Sequence, residues 1–203
     1  MNNPNRLYGF PSPRAGRVVA PLFLLSLFLL SGCKLQYLSE DFRMTIRPDG
    51  SGTLTVNFRD FGSGEETAGL RNRDLEQLKE YSRDEKYIDE AAAKGVTITH
   101  RRLEFVNYAV GGVLEATAKE YQRFFDALPL YTWEEDGAFH YLTPVKQTVL
   151  RADLSEGGRI VKRKGKIAFR WPVDATDIGF TADYQTAGAS FRIEFQREFN
   201  TDK

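Results

Sequence analysis

Few residues in this 203-residue chain have both the type and the setting to do chemistry, and one stands apart. Cys33 is the sole cysteine, and it closes an apolar run after Leu30, Ser31 and Gly32. A thiol at a membrane face can be alkylated where a hydroxyl is too weak a nucleophile, so covalent modification is the chemistry this position fits. A second concentration is Arg159-Ile160-Val161-Lys162-Arg163-Lys164-Gly165-Lys166. There Arg159, Lys162, Arg163, Lys164 and Lys166 load a turn and strand with positive charge. Near a bilayer each such residue contributes about 1 kcal/mol against anionic headgroups. The same lysines also suit an edge strand that must not stick to other strands.

The remaining polar residues exclude more than they offer. His100 lies beside Arg101 and Arg102 as a solvated strand end, and His140 lies in an aromatic strand. Their spacing matches no zinc motif, and with Cys33 committed no thiol is left for a metal or a disulfide. Asp49-Gly50-Ser51-Gly52 and the pair Asp174 and Asp177 carry oxygen ligands without the spacing of a calcium loop. Gly62-Ser63-Gly64 is a loop of small residues rather than a nucleophile elbow. Glu134, Glu135 and Asp136 are a charged hairpin tip, and acid–base work would need a partner carboxylate from elsewhere. No phosphate loop or dinucleotide fingerprint occurs. We therefore expect no catalytic residue, metal or cofactor.

The segment before Cys33 has the layout of a secretory signal. Arg6, Arg14 and Arg17 precede the apolar stretch Leu22 to Leu30 with no acidic residue among them. A spanning helix needs about 20 apolar residues, whereas the run from Val18 to Leu30 is shorter and carries Pro21. The pattern is that of a basic n-region, an h-region and a small-residue cleavage site.

Leu30-Ser31-Gly32-Cys33 resembles in full the lipobox of bacterial lipoproteins, with Leu30, Ser31 and Gly32 as the signal-peptidase recognition residues. The resemblance implies that the Cys33 sulfur receives a diacylglyceryl group, that the chain is cut just before it, and that the new amino terminus is open to acylation, for example by palmitate. Two or more acyl chains hold a protein stably at a membrane where one does not. Lys34 in place of aspartate after the cysteine implies the outer membrane, if the organism has one. Expected boundaries are a cleaved signal at 1–32, a lipidated tether at 33–41 and a single domain at 42–203.

Composition agrees with one folded body. Residues 33–203 suffice for one domain with its own core. The whole chain balances 28 basic against 28 acidic residues. Loss of the signal arginines leaves it mildly acidic, which argues against nucleic acid as a partner.

The elements that must position these residues follow from periodicity. Phe42, Met44 and Ile46 alternate with polar residues, Pro48-Asp49-Gly50 turns, and alternation resumes at Leu54, Val56 and Phe58, predicting a hairpin. From about Asp74 to Lys94 the chain is helical in character, with Gly95 as a stop and Ser82-Arg83-Asp84-Glu85 as a point where two helices could meet. Strands are expected at 96–99 and 110–118, then a short helix carrying Tyr121, Phe124, Phe125 and Leu128. A second hairpin joins Tyr131-Thr132-Trp133 to Phe139-His140-Tyr141, and further strands lie at 145–152, at Ile167 to Trp171 and at Phe191 to Gln196. The fold class expected is α+β, a mainly antiparallel sheet built from hairpins with two helices packed on one face.

The Asp49-Gly50-Ser51-Gly52 turn soon after the lipid cysteine, together with this element order, resembles the LppM-type lipoprotein domain, although the apolar C-terminal span many such proteins carry is not found here. That resemblance implies an envelope role and no defined activity. The expected function is thus a membrane-anchored, non-enzymatic envelope lipoprotein whose domain binds or supports an envelope protein or lipid. A carrier or sensor of an apolar ligand is the alternative, and a hydrolase with dispersed carboxylates ranks third.

Overall fold

The computed structural model describes residues 34–106, 109–145, 148–186 and 188–190. The first hairpin forms where alternation places it, between β1 (Leu35–Ile46) and β2 (Gly52–Ser63), with Met44 opposite Leu54 and Phe42 opposite Val56. Its turn is closed by Gly50 N–H donating to Arg47 O at 2.9 Å, and Gly50 takes φ +80°, where a Cβ would be strained. Asp49 accepts from the Ser51 amide and hydroxyl at 3.0 and 2.7 Å, an Asx turn that locks the loop.

Both strands extend further from the turn than expected. Residues 35–41, read as a tether, are part of β1 and paired to β2. Their alternation is hidden because the facing parity changes near Leu38 and Asp60. Asp60 adopts φ 54°, so Phe61 is buried from an odd position after Leu54 and Val56 from even ones.

The helical stretch begins six residues earlier than the periodicity suggested and is divided where a break was anticipated. Helix α1 (Ala68–Arg83) is capped by Thr67, whose hydroxyl accepts from Leu70 N–H. Helix α2 (Lys86–Ala93) starts after Asp84, whose carboxylate accepts from Lys86 N–H at 2.9 Å, so Asp84 rather than Ser82 caps it. Gly95 at φ +82° then turns the chain into β3 (Val96–Val106), which pairs with β4 (Ala109–Ala118). The short α3 (Arg123–Ala127) follows.

The remainder is strand: β5 (Tyr131–Glu135), β6 (Phe139–Pro144), β7 (Val149–Leu154), β8 (Arg159–Arg163), β9 (Lys166–Pro172), β10 (Asp177–Tyr184) and β11 (Ala189–Ser190). They complete a seven-stranded sheet of order β3-β4-β2-β1-β10-β7, with β11 paired to the end of β2, and form a second, four-stranded sheet of order β5-β6-β9-β8. Every pairing among the described residues is antiparallel. The molecule is therefore mostly antiparallel sheet with a few helices, broadly α+β.

The cover of the large sheet differs from expectation. A second sheet supplies much of it. Phe180 of β10 stacks on Phe42 at 5.0 Å between ring centres and meets Phe169 of β9 at 4.6 Å, while Phe42 meets Tyr131 of β5 edge-on at 5.1 Å. Full burial of each such side chain contributes about 1.5–3 kcal/mol. The strand that joins β1 to β7, β10, went unread at the sequence level although Ile178, Phe180, Ala182 and Tyr184 alternate and are all buried. A separate apolar cluster packs Leu75 and Leu78 of α1 on Phe61 and Val110. The strand expected at Phe191 to Gln196 lies outside the described residues.

Candidate functional site

Cys33, with Leu30, Ser31 and Gly32, lies outside the described residues, but its neighbour Lys34 is the first of them and is held firmly. Lys34 N–H donates to Asp74 Oδ2 at 3.3 Å, and Lys34 O accepts from Gly64 N–H at 2.9 Å. Asp74, in the first half of α1, is fully buried and also takes the Ser63 hydroxyl at 2.5 Å. Its other oxygen, Oδ1, is buried without a hydrogen-bond partner among the described residues. Ser63 Oγ in turn accepts from Glu65 N–H at 3.1 Å. Gly62-Ser63-Gly64, read as a loop of small residues, is thus the end of a strand whose serine grips a buried carboxylate.

The basic stretch does not form one patch. Because β8 and β9 alternate, Arg159, Arg163 and Lys166 share one face of the small sheet and Lys162 lies on the other, beside exposed Ile160 and Ile167. Two of the five basic residues are neutralised. Arg163 and Lys164 pair with Glu134 at 3.0 and 2.7 Å, and Arg163 also stands 3.8 Å over the Tyr141 ring. Lys164, then Arg163, hold the Glu134 carboxyl below its ordinary range. Glu134 and Asp136, the hairpin-tip acids, are accordingly engaged with cations, and Asp136 also accepts from the Tyr141 hydroxyl at 2.7 Å.

His140 is buried on β6, an inner strand of the small sheet. Its Nε2 meets Val173 O at 2.9 Å, its Nδ1 has no hydrogen-bond partner among the described residues, and Glu135 Oε1 lies 3.5 Å from Nδ1. Glu135 accepts from the Tyr121 hydroxyl and Trp133 Nε1 at 2.6 and 2.8 Å. Burial pushes its pKa up, and those two bonds, with His140, outweigh it and leave the carboxyl lowered. His100 lines an open groove of about 340 Å³ between α1, α2 and β3, together with Ser82, Arg83, Ile88, Ile98 and Arg101. There Arg101 donates to the carbonyls of Tyr81 and Asp84, satisfying the end of α1.

A second fully buried acid was not singled out from sequence. Glu40 is fully buried between the sheets, on the same parity of β1 as Phe42 and Met44. Tyr184 of β10 donates to Oε1 and Tyr131 of β5 to Oε2, and Tyr37 adds a third phenol contact. Burial raises the Glu40 pKa, while the three hydroxyls act in the opposite direction. The same burial, then the nearby carboxylate, pushes the phenols of Tyr131 and Tyr184 up as well. The signal was present: extending the hairpin alternation back by one step places a carboxylate on an apolar face.

Among the described residues, no three His, Cys, Asp or Glu side chains converge as a metal site, and no helix is long and apolar enough to cross a membrane. Comparison with family models, with curated proteins and with solved structures gives no match.

Proposed function

We propose that this chain is a membrane-anchored envelope lipoprotein, acylated at Cys33 on the non-cytoplasmic side, whose domain is a non-enzymatic binding or structural accessory for another envelope component. The observation that carries the reading is the lipobox-like sequence set directly before Lys34, the first described residue, whose main chain is already tied to Asp74 and Gly64. The side chains that an enzyme would recruit are engaged in packing: Glu134 and Asp136 in ion pairs, Glu40 with phenols, and His140 with a backbone carbonyl. The finer architecture belongs to the same reading: the long helical stretch (α1 and α2) and the short α3 lie with the small sheet on one face of the large sheet, as Leu75 and Leu78 against Phe61, and Ala91 and Phe124 in the main core, support.

The apolar-carrier alternative has less support. Its aromatic residues contact one another, with Trp133 stacked on Phe125 at 4.8 Å and Tyr131 against Phe42 at 5.1 Å.

Mass spectrometry of the N-terminal peptide from native membranes tests the anchor. Expected is Cys33 as the first residue with a diacylglyceryl mass, partition of the protein into detergent, and loss of both in Cys33→Ser. A peptide that keeps residues ahead of Cys33, with partition into buffer, overturns the proposal.

A further inference from the structure

The distance between a lipid anchor and the body it carries is set by the chain between the acylated atom and the first fixed one. Here that chain is a single residue, since successive Cα atoms are about 3.8 Å apart and Lys34 is held at both its N–H and its carbonyl. The surrounding corner is tightly tied. Lys34 Nζ stands 3.5 Å from Glu65, and Arg71 donates to the carbonyls of Glu65 and Glu66 at 3.3 and 2.8 Å. Thr67 caps α1, and Leu70 in its first turn is 37% exposed.

From this geometry, and resting on acylation of Cys33, we infer that Lys34, the loop 64–67 and the first turn of α1 form a membrane-apposed surface, seated on the headgroups without a linker. The occupant is the bilayer that receives the anchor. Three features favour it. The body starts one residue from the acyl chains, so this corner cannot move far from the interface. Its charges, Lys34 and Arg71 against Glu65 and Glu66, nearly balance, so anionic headgroups do not repel it strongly. Asp74 is fully buried and holds Lys34 N–H and Ser63, with no partner for its second oxygen among the described residues. Burying a half-satisfied carboxylate costs stability, a cost that makes sense where the position of the chain start matters. The far end of the body is set by β1. β1 runs from this corner to the Pro48–Gly50 turn over twelve residues, which at about 3.3 Å per residue puts that turn about 40 Å from the anchor.

The test uses lipidated full-length protein, in which an acylated Cys33 leaves an introduced thiol as the sole labelling site. Glu66→Cys and Asp49→Cys are each labelled with bimane and reconstituted in phosphatidylethanolamine–phosphatidylglycerol vesicles containing lipid with a nitroxide headgroup. Expected is quenching at position 66 at least threefold stronger than at 49. A ten-residue Gly-Ser insertion between Cys33 and Lys34, with a reach of about 17 Å, should remove most of that difference. Equal quenching at the two positions, or stronger quenching at 49, in protein whose N-terminal peptide carries the acyl mass overturns the inference and leaves the anchor standing. Absence of the acyl mass overturns the anchor and the inference with it.

Discussion

Two carboxylates among the described residues are fully buried, and they are buried in opposite ways. Glu40 sits between the sheets with a phenol donor on each oxygen, drawn from β5 and β10, so one side chain joins both sheets. Asp74 sits at a corner, uses one oxygen for Ser63 and for Lys34 just before β1, and has no partner for the other among the described residues. A fully satisfied network favours a unique core, whereas a half-satisfied one gives up stability. The comparison separates a region built for cohesion from one built to hold a single point of the chain in place.

Removal of core volume should have the largest effect. Phe42→Ala takes away a ring that contacts both Phe180 and Tyr131 and should cost about 3–5 kcal/mol, read as a shift in the urea midpoint. A loss under 1 kcal/mol would show that the sheets do not share a tight interface. Next comes the charge on Glu40. Because burial raises its folded pKa above the ordinary value of 4.5, its contribution is complete below the unfolded pKa and is lost as pH rises through the folded one. Glu40→Gln should therefore gain stability relative to wild type as pH climbs from 4 to 8. A stability difference flat with pH would mean that the phenols cancel the burial cost.

At the corner the expected loss is smaller and local. Asp74→Ala removes an acceptor for Lys34 N–H and Ser63 and should cost about 1–2 kcal/mol. Hydrogen exchange should speed up at Lys34 and Glu65 while the amide of Phe42 keeps its protection. Equal acceleration at Phe42 would erase the distinction between the two regions. The smallest effect belongs to the exposed hairpin. Arg163→Ala, which breaks contacts to Glu134 and Tyr141, should give a slight loss in melting temperature that shrinks in high salt, as screened surface pairs do.

Much of the local structure was legible because it depends on neighbours along the chain. The Pro48-Asp49-Gly50 turn, the division of the helices near Asp84 and the stop at Gly95 each follow from a cap or a positive φ that a short segment dictates. What escaped were features that change phase or need distant partners. The shift at Leu38 and Asp60 hid the first half of β1. The alternation of Ile178 to Tyr184 was available but lay behind Asp174 and Asp177, which read as turn residues.

By itself the sequence determined the hairpins with their turns and the period of two that sends Phe42, Met44, Leu54 and Val56 to one side, and it carries the resemblance to a lipobox at Leu30 to Cys33. Only the tertiary structure decided that a second sheet meets that side, and that Glu40 finds Tyr131 and Tyr184, which lie 91 and 144 residues further along. The physical reason is that alternation states which way a side chain faces, whereas the partner across the gap is chosen by the packing of whole sheets.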